Sequence, residues 1–336
     1  LAYLDFFPLI GECPSYTEPP AILSSGEIPM QPSLITEILF PVSTLVIMFG
    51  LGLSLTLAEF RRLARTPTAV IVGMVNQLLL LPLIAFGLGL LLAPRPELAV
   101  GLIILAAAPG GIVSNILVHV AHGDTALSIT LTTLSSTVTF LSAPIWIGLA
   151  LHVFLNDVAV VQLPTGALMA QIALLTVLPV LLGMTVHDRL PLLAARLRRP
   201  FHRLSTVVLV TIVAAAVISE RANLTTYLTQ AGVLAVLLNG LGLGAGWVSA
   251  RAFGLPRPQG IAITLETGIQ NAPVALTIAI TLLGNTAMSI PAATYAIIML
   301  GTASLLVFLL RQKTAWFTFE RKCFTKSEDS GRKTVQ

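Results

Sequence analysis

Charge is scarce in this chain: Asp, Glu, Lys and Arg make up 10% of its 336 residues, against about a quarter in soluble domains. That shortage excludes an ordinary solvated surface, and no nucleic-acid partner is expected. Cysteine is nearly absent. Cys13 and Cys323 are the only two, which leaves no thiolate metal cluster, and the topology below puts them on opposite sides of a membrane, where they cannot pair. Missing too are the short alternating polar and apolar segments of a membrane β-barrel. The interiors of the long apolar runs contain no Lys or Arg, and among the acids only Glu266 falls well inside one.

What is present is hydrophobicity in long blocks. Apolar residues account for 55% of the chain and the mean hydropathy is +0.91. Runs of about 20 residues, each able to cross roughly 30 Å of hydrocarbon as a helix, fall near 34–58, 67–92, 98–121, 125–154, 164–187, 202–219, 226–250, 259–283 and 287–310. The fold class is therefore an all-α polytopic membrane protein with about nine transmembrane helices. Arg61, Arg62 and Arg65, the cluster from Arg189 to Arg203, Arg251, Arg257 and the C-terminal tail all fall on one side, while the other holds only Arg95 and Arg221. The positive-inside rule makes the Arg-rich side cytoplasmic, with the N-terminus outside and the C-terminus inside. The expected parts are an extracytoplasmic tail (1–33), a membrane domain of nine spans (34–312) whose four-span and five-span halves meet near 152–163, and a basic cytoplasmic tail (313–336) beside anionic lipid. The location is an integral one, in the plasma (inner) membrane.

A carboxylate near the bilayer centre costs about 2.5–3.5 kcal/mol on insertion scales, so Glu266 calls for a cavity, an ion or a proton. It lies in ETGIQNAP, an interruption of the run at 259–283. The run at 98–121 is interrupted as well, by Pro109-Gly110-Gly111 followed by Ser114 and Asn115. Proline and paired glycines predict a broken helix there, and lipid cannot satisfy the freed backbone groups, so the break should line a cavity inside the protein. Paired interruptions in two halves point to the substrate site of an inverted-repeat transporter. Four spans precede the 152–163 loop and five follow it, so the first repeat is expected to lack one helix.

Ser128, Thr132 and Ser135 or Ser136 recur at helical spacing and share one face of the span at 125–154. Hydroxyl, amide and carboxylate oxygens suit a hard cation, and a single carboxylate favours sodium over calcium. Plain helix packing through small residues is the other reading of that face. Asn76 and Gln77 in the second span are either interhelical hydrogen-bonding groups or ligands. His119 and His122 have the spacing of a metal pair but no third ligand. N–H groups after Gly110-Gly111, beginning at Ile112, would point from a broken-helix N-terminus, a geometry that favours an organic anion.

With these residues in hand, the chain resembles the bile acid:sodium symporter family over roughly residues 34 to 312. The likeness is carried by APGGIVSN with GDTALSITLTTLSS and by ETGIQNAP, similar to that family's P-G-G-x-x-S-N, A-L-S-x-x-x-T and E-x-G-x-Q-N segments. The resemblance implies core and panel domains, two discontinuous crossing helices and two sodium ions. One ion would be held by Ser114, Asn115, Ser128, Thr132 and Glu266. The other would be held by Gln77, Glu266 and Gln270 with the carbonyls of Thr267 and Ile269. Asn271 matches a position beside the substrate, with Ile112 on the same side. The implied function is a sodium-coupled secondary transporter importing an organic anion, bile-acid-like or a small carboxylate, by alternating access. It is not an enzyme, and its only cofactor-like partner is sodium as coupling ion. Proton coupling at Glu266 and a non-transporting sensor or scaffold are the alternatives.

Overall fold

A computed structural model describes residues 40–53, 67–155, 165–197 and 224–310, together with Pro200, Phe201, Leu204 and Val207. The chain divides into two compact units, Leu1–Gln31 and Pro32–Gln336. The first lies outside the described residues, as do the tail at 313–336, both cysteines and nearly all of the span expected at 202–219.

Every named element is helical: α1 (Phe40–Gly52), α2 (Pro67–Leu92), α3 (Pro96–Ala107), α4 (Ile112–Val120), α5 (Thr125–Leu155), α6 (Thr165–Arg189), α7 (Leu224–Ala252), α8 (Arg257–Gly268), α9 (Ala272–Leu282) and α10 (Ala287–Leu310). Four of the described helices are long and apolar enough to cross a membrane, and a bent fifth joins them if its two arms form one span. Helices are the open-chain solution to a solvent that cannot hydrogen-bond the backbone. The surface is that of a helical membrane protein: Leu91 is 81% exposed, Ile145 70% and Val233 63%, where water would penalise such a display.

Several elements depart from straight α-helix for local reasons. α5 bends by 59° between Thr125–Thr139 and Leu141–Leu155, although one unbroken span was expected there. Pro144 lies inside it. A proline removes its own N–H and collides with the carbonyl four residues back, which is that of Phe140, at the bend. α2 contains a π-helical turn at Asn76–Leu80, and the Trp146 indole N–H, just beyond the α5 bend, donates to the Leu78 carbonyl within that turn at 3.0 Å. The spans expected at 98–121 and 259–283 are each two short helices, α3 with α4 and α8 with α9.

Burial is concentrated on these short helices. Every residue of α3 from Leu98 to Ala107 is buried, as is every residue of α8 from Ile261 to Gly268. The longer α2, α5, α7 and α10 pack round them and carry exposed Leu, Ile and Val on other faces. Both helix breaks therefore lie inside protein.

Candidate cation site

The two breaks meet. Gly110 and Gln270 form an isolated antiparallel β-bridge, and the Asn271 N–H donates to the Pro109 carbonyl at 3.1 Å. Each extended segment thus supplies partners that the other would lack in hydrocarbon. Gly110 also donates its N–H to Ser135 Oγ at 3.2 Å. Its lack of a side chain is required, because a Cβ here would lie 2.7 Å from Glu266 Oε2.

Glu266 sits in the last turn of α8, 4% exposed. Its Oε1 accepts from Ser114 Oγ at 2.6 Å, from Thr132 Oγ1 at 3.0 Å and from Ser128 Oγ, while Oε2 accepts from Thr132 Oγ1 at 2.9 Å. Asn115 Oδ1 faces the same hydroxyls, 2.8 Å from Ser128 Oγ and 3.5 Å from Thr132 Oγ1. The register of this cluster is set at its base. The turn at His122-Gly123-Asp124 closes α4 with the Gly123 N–H on the Val118 carbonyl at 2.8 Å. Asp124 then caps α5, its Oδ1 accepting the Leu127 N–H at 3.0 Å, the usual role of an N-cap aspartate. The Asp124 N–H in turn bonds the Pro258 carbonyl at 2.9 Å, which ties this turn to the first turn of α8. From that base, residues 128 and 132 of α5 climb alongside residue 266 of α8.

A proton count shows what the cluster is suited to. Three hydroxyls offer three protons, and they lie within hydrogen-bond distance of three side-chain oxygens, both of Glu266 and Asn115 Oδ1, which together carry about six lone pairs, as well as of the Gly111 and Ser128 carbonyls, which have backbone N–H donors of their own. Lone pairs exceed protons around one formal negative charge. The donor set is all hard oxygen with a single carboxylate, which suits a hard monovalent cation. Among the described residues no group of three His, Cys, Asp or Glu side chains gathers to hold a softer metal.

The remaining candidate ligands lie on the other face of the meeting point. Gln77 Nε2 donates to Gln270 Oε1 at 2.8 Å and to the Ala108 carbonyl at 3.4 Å. Gln270 Nε2 reaches Gln77 Oε1 at 3.4 Å and the Thr267 carbonyl at 3.2 Å. Ile269 is in extended conformation between the half-helices. Glu266 makes no hydrogen bond to Gln77 or Gln270 among the described residues. Asn76, next to Gln77, turns away to donate to Ser249 Oγ on α7 at 2.6 Å. Asn271 caps α9, accepting the Val274 N–H at 3.3 Å, while its buried Nδ2 has no acceptor among the described residues. Ile112 opens α4 directly after Gly111.

Residues 41–227 match the sodium bile acid symporter family. The chain belongs to that family. The match contains Gln77, Ser114, Asn115, Ser128 and Thr132 and ends before Glu266. YocS of Bacillus subtilis, an uncharacterized sodium-dependent transporter, is 34% identical over 238 residues, 70% of this chain and 71% of YocS. The rice chloroplastic protein BASS2, a probable sodium/metabolite cotransporter, is 27% identical over 285 residues, 83% of this chain and 66% of its own. The human ileal sodium/bile acid cotransporter is 24% identical over 248 residues, 73% of this chain and 70% of its own. These symporter-family relatives are transporters, not enzymes.

Reading the sequence alone missed Asn239 and Tyr295. Asn239 Nδ2 donates to the Gly268 carbonyl at 2.8 Å and Tyr295 Oη to the same oxygen at 2.9 Å. The available signal was a lone amide in the apolar run VLAVLLNGLGLG and a lone phenol in span nine.

Proposed function

We propose that this member of the symporter family couples sodium entry to the import of an organic anion by alternating access. The observation that carries the reading is the excess of oxygen lone pairs over protons round Glu266. Sodium would bind Glu266, Ser114, Ser128, Thr132 and Asn115, replacing proton-poor oxygen contacts with ion–oxygen ones. A second sodium would take Gln77, Glu266 and Gln270 with the carbonyls of Thr267 and Ile269. There the Gln270 amide now spends its nitrogen on the Thr267 carbonyl, so that ion requires the amide to turn and present its oxygen. The named relatives supply the coupling ion: each is described as sodium-dependent or as a sodium cotransporter.

The anion would bind on the side of Asn271 and Ile112. The Asn271 Nδ2 donor has no acceptor among the described residues, and the first N–H groups of α4 carry the positive end of a helix dipole. A bile-acid-like amphiphile and a small carboxylate both fit that chemistry. The surrounding frame in this reading has nine spans in two inverted halves meeting near 152–163, sorted into core and panel domains. The N-terminus is outside and the C-terminus is in the cytoplasm of a cell bounded by this membrane, with 1–33 and 313–336 as tails.

The test is thermal stability of the detergent-purified protein across a sodium titration, with choline holding ionic strength constant. A ligand bound only by the native state raises stability as RT ln(1 + [L]/Kd). Wild type should gain stability with sodium, and Glu266→Gln should lose that gain. Glu97→Gln, at the start of α3 with Arg95 3.6 Å away, should keep it. No sodium effect in wild type, combined with strong pH dependence, would replace the reading with proton coupling.

A further inference from the structure

The half-helix that carries Glu266 ends in the middle of the protein, and helix ends leave carbonyl oxygens without intrahelical partners. One of them, the Gly268 carbonyl, is taken by two donors from two other helices. Asn239 of α7 donates through Nδ2 at 2.8 Å and Tyr295 of α10 through Oη at 2.9 Å. Asn239 is itself held: Thr302, seven residues along α10 from Tyr295 and so on the same face, donates to Asn239 Oδ1 at 2.6 Å. That bond orients the amide so that its nitrogen faces Gly268. Asn239 and Tyr295 are fully buried. Among the described residues none of these three side chains is hydrogen-bonded to Glu266, Gln270, Ser114, Ser128 or Thr132.

We propose that Tyr295, Asn239 and Thr302 are positioning residues that set the cation affinity of the Glu266 site by holding the last carbonyl of α8. Their grip fixes the peptide plane after Gly268, two residues beyond the carboxylate. The neighbouring Thr267 carbonyl accepts from Gln270 Nε2 at 3.2 Å, so the end of α8 is held on both sides of its last peptide. α8 then presents Glu266 in one orientation before an ion arrives, so the ion does not have to order it. The inference rests on the sodium reading above.

The experiment is the same choline-balanced sodium titration, fitted to RT ln(1 + [L]/Kd) for the sodium Kd, the concentration at which the site is half-saturated. Tyr295→Phe keeps the ring and removes one of the two donors, and it should raise half-saturation by about three- to tenfold, the worth of one hydrogen bond. Thr302→Val, which unlocks the amide without touching Gly268, should shift it in the same direction, and Thr302→Ser should restore the wild-type value. A merely structural role would lower the sodium-free melting temperature and leave half-saturation where it was. A normal sodium response in wild type with unchanged half-saturation in Tyr295→Phe and Thr302→Val overturns the inference alone. Absence of any response in wild type overturns the sodium reading and this inference together. Should Tyr295→Phe fail to fold, Thr302→Val against Thr302→Ser decides the matter.

Discussion

At the scale of single residues, Gly110 constrains the site as tightly as Glu266 does. A methyl group at 110 would lie 2.7 Å from Glu266 Oε2, inside van der Waals contact. Gly110→Ala should therefore fold but push the carboxylate off Ser114, Ser128 and Thr132, at a strain of about 1–3 kcal/mol. Isothermal titration with sodium would read this as a weakened affinity, and an unchanged affinity would mean that the carboxylate is free to move without loss. The hydroxyl face was legible from spacing, since residues four apart on a helix share a face. Its division of labour was not. Ser128 and Thr132 reach Glu266, whereas Ser135, on the same face, accepts the Gly110 N–H. Spacing names a face but not what stands opposite it.

At the scale of elements, the position of Glu266 depends on how closely α7 and α8 approach. A Cβ added at Gly246 would meet Thr264 Cα at 2.7 Å and the Ile263 carbonyl oxygen at 2.9 Å, both backbone atoms that cannot rotate away. Gly246→Ala should cost about 1–3 kcal/mol through forced separation of the helices. Gly244→Ala, where nothing lies within 4 Å, should be neutral or stabilising by up to about 1 kcal/mol, the helix preference for alanine. Melting temperatures in one detergent without sodium would distinguish the two, and equal effects would show that the approach is not tight. The helix breaks were legible because proline and glycine interrupt those two runs together with Ser114 and Asn115 in one and Gln270 and Asn271 in the other, a combination that weakens a helix and needs an interior lining. The bend of α5 has a comparable local cause in Pro144, whereas the bond from Trp146 to the Leu78 carbonyl of α2 was not legible in the sequence.

At the scale of the molecule, the two broken helices bring distant parts of the chain together, and in the proposed reading coupling between ion and anion would follow from that geometry. The bridge from Gly110 to Gln270 joins the α3–α4 break to the α8–α9 break, so an ion on Glu266 and an anion at Asn271 act on the same short segments. Linkage then requires sodium to raise anion affinity by the factor through which the anion raises sodium affinity. Two titrations measure it, sodium with and without saturating anion and the converse, using cholate or a short-chain carboxylate, whichever stabilises the sodium-loaded protein. Unequal factors would mean that more than this one pair of sites is being read.

Composition and patterning alone determined the helical membrane class, the two places where helices break and the single membrane-embedded carboxylate, because each follows from what hydrocarbon penalises: unpaired backbone, polar side chains beside a Pro/Gly interruption, and unaccompanied charge. Tertiary structure decided which oxygens gather round that carboxylate and which donors hold the end of its helix. Asn239, Tyr295 and Thr302 come from two helices remote from Glu266 along the chain, and nothing local to any of them specifies that they converge on the Gly268 carbonyl. That convergence is set by the packing of α7 and α10 against α8, a property of the assembled helices.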